Sequence, residues 1–467
     1  MTDDARVSAV VSLVLLALAS PPVARTTAPV QIAKPLREIA EDAAPISFVV
    51  DLRDQLDFAK SAQLLVRQGQ SRRARRDWVV DALKTIASDG QARLRPLLER
   101  LQGNGAIESW TGISIVNRIL VKGRPAAIRA LAQHPEVASL AEEVEGESSL
   151  AAEEAIAGDS FPGAAPSWPL AAIGATQAWQ SGVDGRDVIV GVIDSGASNL
   201  HEQLRGNFRG GARSWFDPAR HSAQPSDVQL GHGTAVLSCA VGQGRPGGPS
   251  GAAPGAKWIA AVGLNAGRYN NVLASLAADW MLNVGQPDVL IVAWRLLGAP
   301  CDDSLRAVVN AWRAAETVVV FAAGNSGPSA RTDVSPANYT QLFPGAGIAL
   351  SVGAIDRDQK IYSHSSRGPN RCGDAVFPQL AAPGTEVPVA LPAATDFYRT
   401  ASGTSFAAGY VGGAAALLLQ KFPDALTSQI EEALRRTATK LDAAPDGASG
   451  YGMVNVPAAL DYLEKHR

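Results

Sequence analysis

The chain has 467 residues and a formal net charge of −3, with 46% apolar and 19% charged residues. That length and apolar share support a sizeable core and exclude a wholly disordered, collagen-like or coiled-coil protein. The 42 basic and 45 acidic side chains are evenly spread, so nothing marks nucleic acid as a partner.

The first residues, Met1 to Arg6, precede an apolar run over 7–19 and then Ser20-Pro21-Pro22. Ala17-Leu18-Ala19 is a small-x-small site of the kind signal peptidase cuts, so 1–25 reads as a signal peptide and the protein as secreted or periplasmic. A second charge-free stretch, 400–420, is long enough to span a membrane. Its Gly, Ser, Thr and Ala content fits a buried core helix better, leaving no membrane span in the mature form.

Residues 20–45, rich in Pro and Ala, read as a linker. Strands are predicted over 46–52, 107–110, 115–121 and 137–141, with helices over 77–88, 93–102 and 125–134 from apolar spacing. The order strand–helix–strand–strand–helix–strand is a ferredoxin-like α+β pattern with an extra helix after the first strand, assigned to 44–145. An acidic, then Gly/Pro/Ala-rich connector follows over 146–165, exposed and open to cleavage.

From 166 to 467 the texture changes. Continuous apolar runs at 188–193, 258–262, 289–293, 318–323 and 348–352 alternate with helical spacing at 234–241, 272–284 and 304–315. Runs without polar alternation fit strands buried on both faces, hence a mainly parallel sheet covered by helices in a three-layer α/β domain. In such sheets ligands bind beyond the carboxyl ends of the strands.

Four short segments sit where chemistry is expected. Asp194-Ser195-Gly196 ends the first strand, Gly231-His232-Gly233-Thr234 opens a helix, Gly324-Asn325-Ser326 ends a later strand, and Thr404-Ser405-Phe406 opens the charge-poor helix. Taken singly, each has an ordinary structural explanation: a turn Asp, a satisfied His, a turn Asn, a helix-capping Ser. Cys239, Cys301 and Cys372 are too few for a disulfide framework or a zinc site. Cys239 reads as a small buried hydrophobe, and a Cys301–Cys372 bridge stays open. Asn338-Tyr339-Thr340 matches a glycosylation sequon but is given a structural role.

In the order Asp, His, Asn, Ser, these segments resemble the subtilisin-like serine peptidases, family S8. Ser365-Ser366-Arg367-Gly368-Pro369, Ala382-Pro383-Gly384 and Gly450-Tyr451-Gly452 add to the likeness. The stretch from Gly255 to Ala261 is closest to the bacillopeptidase F-like branch. The resemblance covers roughly 166–467 and implies a subtilisin-like three-layer fold and a secreted serine endopeptidase. It implies Asp194, His232 and Ser405 as the triad, Asn325 as an oxyanion donor, and Ala293, Trp294, Arg295, Ala322, Ala323, Gly324 and Tyr269 as substrate-binding residues, with Val272 at a distal subsite. It further implies that 44–145 is a propeptide acting as an intramolecular inhibitor, that the 146–165 connector holds the processing site, and that the partners are polypeptide substrates of a monomer. No cofactor and no metal site are assigned; structural calcium, common in the family, is given no ligands.

An α/β-hydrolase is excluded by chain order and because Ala407 stands where its nucleophile motif needs Gly. Ala293 replaces the family's usual Ser, Arg295 its usual Gly, and Gly409 its usual Pro. Arg295 keeps open a pseudopeptidase that binds peptide strands by edge addition, or a scaffold with the same fold.

Overall fold

The computed structural model describes residues 20–143, 145–147, 155–157, 168–227, 231–244, 251–265, 268–296, 300–339, 348–441 and 445–466. The apolar N-terminal run read as a signal lies outside the described residues. Two compact units divide the chain after Glu143.

In chain order the first unit comprises β1 (Val23–Arg25), β2 (Gln31–Ile32), α1 (Lys34–Arg37), β3 (Ile46–Leu52), β4 (Asp54–Leu56), α2 (Phe58–Arg67), α3 (Arg72–Gly103), β5 (Ile107–Ile113), β6 (Arg118–Gly123), α4 (Pro125–Ala132) and β7 (Val137–Glu142). Its main sheet has the order β2-β7-β3-β6-β5. The last four strands pair antiparallel in the ferredoxin-like order, and β2 adds parallel to β7. Phe48, Val50 and Leu52 alternate along β3 into a core shared with Leu94, Leu98 and Leu101 of α3 and Ile128 and Leu131 of α4.

Two expectations change here. The region 20–45 is not a linker, because β1 pairs with β4, β2 extends the sheet and Leu36 is buried. Such short strands find partners far along the chain and leave no local periodicity. The separate helices at 77–88 and 93–102 are one 32-residue helix, α3, which carries Gly90 and Pro96 inside it. Those two residues imitate a break, yet the buried Leu94, Leu97, Leu98 and Leu101 keep the helix on the sheet.

The second unit contains β8 (Glu145–Glu147), β9 (Ala155–Ala157), α5 (Trp168–Ala172), α6 (Ala175–Gln180), β10 (Ile189–Asp194), α7 (Glu202–Arg205), β11 (Trp215–Phe216), α8 (His232–Val241), β12 (Lys257–Val262), β13 (Leu264–Asn265), β14 (Arg268–Asn270), α9 (Asn271–Trp280), β15 (Val289–Val292), α10 (Arg306–Ala314), β16 (Val318–Ala322), β17 (Leu350–Ile355), β18 (Leu380–Pro383), β19 (Val387–Ala390), β20 (Tyr398–Ser402), α11 (Thr404–Lys421), α12 (Thr427–Arg436) and α13 (Val456–Lys465). Its seven-stranded sheet, β11-β12-β10-β15-β16-β17-β18, is parallel throughout.

Alternate residues of these strands are buried on opposite faces. Val190, Val192, Ile291, Val320 and Val352 join one core with α8 and α11. On the other face Gly191 lies against Pro287 and Met281. This is why the strands read as unbroken apolar runs. Helix α11 is buried from Thr404 to Leu419, as expected for a core helix, and among the described residues no helix is long and apolar enough to cross a membrane. From β10 the chain goes to β12 on one side and later to β15 on the other. The carboxyl end of β10 therefore stands at a topological switch point, where open α/β sheets place their sites.

Cys301 and Cys372 form a disulfide with Cα atoms 5.2 Å apart, while Cys239 is free and buried. Asn338 is buried, and its amide donates to Pro300 O at 2.7 Å and to Asp333 at 2.9 Å, a structural use of that side chain.

Candidate active site

Asp194 ends β10, fully buried, and His232 opens α8 with 4% of its surface exposed. His232 Nδ1 lies 2.7 Å from Asp194 Oδ1, which also accepts the Ser195 N–H at 2.7 Å. A carboxylate facing Nδ1 fixes the proton there and makes Nε2 the basic nitrogen. The rings of His232 and Phe406 have centroids 6.2 Å apart, so the imidazole lies beside the first turn of α11.

Ser405 is the second residue of α11. Its backbone N–H belongs to the first turn, whose donors have no partner within the helix and favour negative charge. Its hydroxyl donates to Ala293 O at 3.1 Å, and a hydrogen bond to His232 is not among those it makes here.

Helices α8 and α11 cross at close range. A Cβ built at Gly409 would lie 2.7 Å from Val236 O and 2.8 Å from the Cys239 Cβ. The departure from the family's proline therefore falls at a helix crossing that has room only for hydrogen.

Asn325 follows β16. Its Oδ1 accepts both the Thr404 N–H and the Thr404 hydroxyl at 2.9 Å. Thr404 Oγ1 in turn accepts the Gly324 N–H at 3.1 Å. With Oδ1 bound to a backbone donor, the amide orientation is settled and Nδ2 is the donating end.

The substrate-binding candidates fall into two groups. Ala293, Ala322, Ala323 and Gly324 line the exits of β15 and β16, and all are buried. Trp294 turns inward, with Nε1 donating to Ile193 O at 2.7 Å and its ring 5.3 Å from that of Tyr269. Both aromatic residues are buried. Val272, the distal-subsite candidate, is half-buried in the first turn of α9. Arg295 is half-buried and donates from Nη1 to Ser326 Oγ at 2.9 Å.

Three residues of this site were not singled out from sequence: Thr404, Ser195 and Asp227. Thr404 and Ser195 lie inside the quoted motifs, where hydroxyls next to the acting residues were the available signal. Asp227 sits in an unremarkable Ser-Asp-Val stretch. Among the described residues no group of three or more His, Cys, Asp or Glu side chains gathers as a metal site.

The sequence profile of the subtilase family, Peptidase S8, matches residues 185–452. Bacillopeptidase F of Bacillus subtilis (strain 168) is 28% identical over 93% of this chain and 33% of its own length. The chain thus spans about a third of that relative. Subtilisin BL of Lederbergia lenta is 34% identical over 62% of this chain and 97% of its own length, and subtilisin E of Bacillus subtilis (strain 168) is 33% identical over 60% and 67%. By sequence and by fold, the chain belongs to the subtilase family of serine endopeptidases.

Proposed function

We propose that the chain is a secreted endopeptidase, made as a zymogen that processes itself, in which Asp194, His232 and Ser405 form the triad and Asn325 completes the oxyanion site. The observation that carries this reading is the buried 2.7 Å contact between Asp194 Oδ1 and His232 Nδ1, with the ring of Phe406, the residue after Ser405, 6.2 Å from the imidazole.

On substrate binding, the Ser405 hydroxyl turns about its Cα–Cβ bond from Ala293 O toward His232 Nε2. Oγ then bonds to the scissile carbonyl carbon as its proton passes to Nε2, and the carbonyl π electrons move onto oxygen. Asn325 Nδ2 and the Ser405 N–H donate to that oxyanion. The C–N bond breaks as His232 returns the proton to the leaving amine, and water repeats the sequence on the acyl-enzyme. His232 must be neutral at the start, so activity rises from acid toward neutral pH.

Two observations support the zymogen. Strand β8 of the connector pairs antiparallel with β14, and β9 pairs antiparallel with β20. β14 carries Tyr269, whose ring lies 5.3 Å from that of Trp294 next to Ala293, and β20 runs directly into Gly403 and Ser405. The connector therefore adds strands to two edges at the site, as an extended peptide substrate would. This favours reading it as the first bond cut and 44–145 as the intramolecular inhibitor. Secretion rests on the N-terminal apolar run.

The test compares the wild type with Ser405→Ala by N-terminal sequencing. The wild type is expected to begin within or after the connector and the variant to keep its N-terminal unit. Identical shortening of both would remove self-processing.

A further inference from the structure

Asp227, in the loop before α8, is a buried carboxylate that the scheme above does not use. It is 2% exposed and accepts four hydrogen bonds. Oδ1 takes the Ser195 hydroxyl at 2.9 Å and the Gly231 N–H at 3.1 Å; Oδ2 takes the Thr234 N–H at 2.9 Å and the Thr234 hydroxyl at 2.7 Å.

The hydrogen-bond directions call for an anion. Ser195 Oγ accepts the Gly233 N–H at 3.2 Å, and Thr234 Oγ1 accepts the Ser198 N–H at 3.1 Å. Both hydroxyls are then placed to donate to Asp227. A proton on Asp227 would have to point at a hydroxyl oxygen that already accepts a backbone donor. That hydroxyl's own proton would lose its acceptor inside the protein, which is costly.

Each partner also bears on the triad. Ser195 follows Asp194, and its N–H donates to the Asp194 oxygen that faces His232. Gly231, Gly233 and Thr234 flank His232 at the first turn of α8. One carboxylate thus ties the strand end that carries Asp194 to the helix start that carries His232.

We propose that Asp227 is a positioning residue for proteolysis: as an anion it holds Asp194 and His232 in register, and its protonation releases them. The inference rests on the peptidase reading above. Burial raises the Asp227 pKa above the ordinary Asp value and the Asp194 charge adds to this, against the pull of its donors. The titratable groups at this junction are Asp194 and His232. The raised value moves release of the clamp upward in pH.

Asp227→Asn keeps the shape and removes the charge. The processed variant, matured by trace wild-type enzyme if it does not mature alone, is titrated with a fluorophosphonate and assayed on a peptide anilide from acid to mildly alkaline pH. The expected result is a kcat lower by about 10–100-fold with KM nearly unchanged, as for a misaligned catalytic group, and an acid limb reduced from two protons to one. Ser195→Ala, which keeps the anion and removes one donor, shows a smaller loss in the same direction. An Asp227→Asn enzyme with wild-type kcat and a superimposable pH profile overturns the inference, as does a parallel loss of kcat, KM and thermal stability. Failure of the wild type itself to label removes the peptidase reading instead.

Discussion

Thr404 holds Asn325 with two donors on a single oxygen, the backbone N–H and the hydroxyl, each 2.9 Å from Oδ1. The residue before the proposed nucleophile therefore aims the side chain proposed to meet the oxyanion. Asn325→Ala should lower kcat by the loss typical of this family's oxyanion asparagine, about 10²–10³-fold, with KM little changed. Thr404→Val removes one of the two donors and leaves the Gly324 N–H without its acceptor. It should lower kcat in the same way but less, and Thr404→Ser should restore it. Steady-state kinetics on one peptide anilide checks all three.

Arg295 is proposed to set a preference at the same site. Two residues beyond Ala293, it binds Ser326, the neighbour of Asn325. On the proposed mechanism its guanidinium, held at Ser326 Oγ, is placed to meet the residue before the scissile bond. The wild type should cleave after Glu in preference to Lys. Arg295→Gly should lower the ratio of their kcat/KM values about fivefold, on the order of 1 kcal/mol for a partly screened charge pair. Matched anilides differing only at that residue measure it.

In the N-terminal unit, Glu136 sits between Arg25, at 3.0 Å, and Arg93, at 2.8 Å. The hydrogen bond from Arg25, aided by that from Arg93, holds its carboxyl at about 2, against an ordinary 4.5. A lowered folded-state value stabilises the fold above about 4.5, and that contribution is lost as pH falls toward about 2. In the Ser405→Ala chain, which keeps this unit, Glu136→Gln should lower its melting temperature at neutral pH. The difference should close as the pH is lowered through that window.

The crossing of α8 and α11 predicts a stability effect. A Cβ at Gly413 would lie 2.5 Å from Ala240 O and 2.7 Å from the Ala252 Cβ. Gly413→Ala should destabilise the second unit by about 1–3 kcal/mol, the usual cost of overpacking, as read by denaturant unfolding. Gly69, with nothing within 4 Å of a built Cβ, provides a control: its φ of +58° makes Ala there costly through backbone strain alone.

Much of this was legible in sequence for a physical reason. The strands of the parallel sheet are buried on both faces, so each appears as a continuous apolar run, and the sheet's carboxyl ends could be searched for chemistry. The residues proposed to act stand beside glycines and helix starts, in motifs that name their neighbours. What did not show depends on contacts between distant segments. β1 and β2 are too short to have a period of their own. Gly90 and Pro96 imitate a break that the packing of α3 overrides. The Cys301–Cys372 pairing could not be decided across 71 residues. Asp227 gains its meaning only when Ser195 and Thr234 are folded against it.

Active-site labelling tests the central claim most directly. The processed wild type, treated with a fluorophosphonate and digested for mass spectrometry, should carry one adduct, on Ser405, and labelling should collapse in His232→Ala. An intact, processed protein without an adduct, or an adduct that persists in Ser405→Ala, would contradict the account.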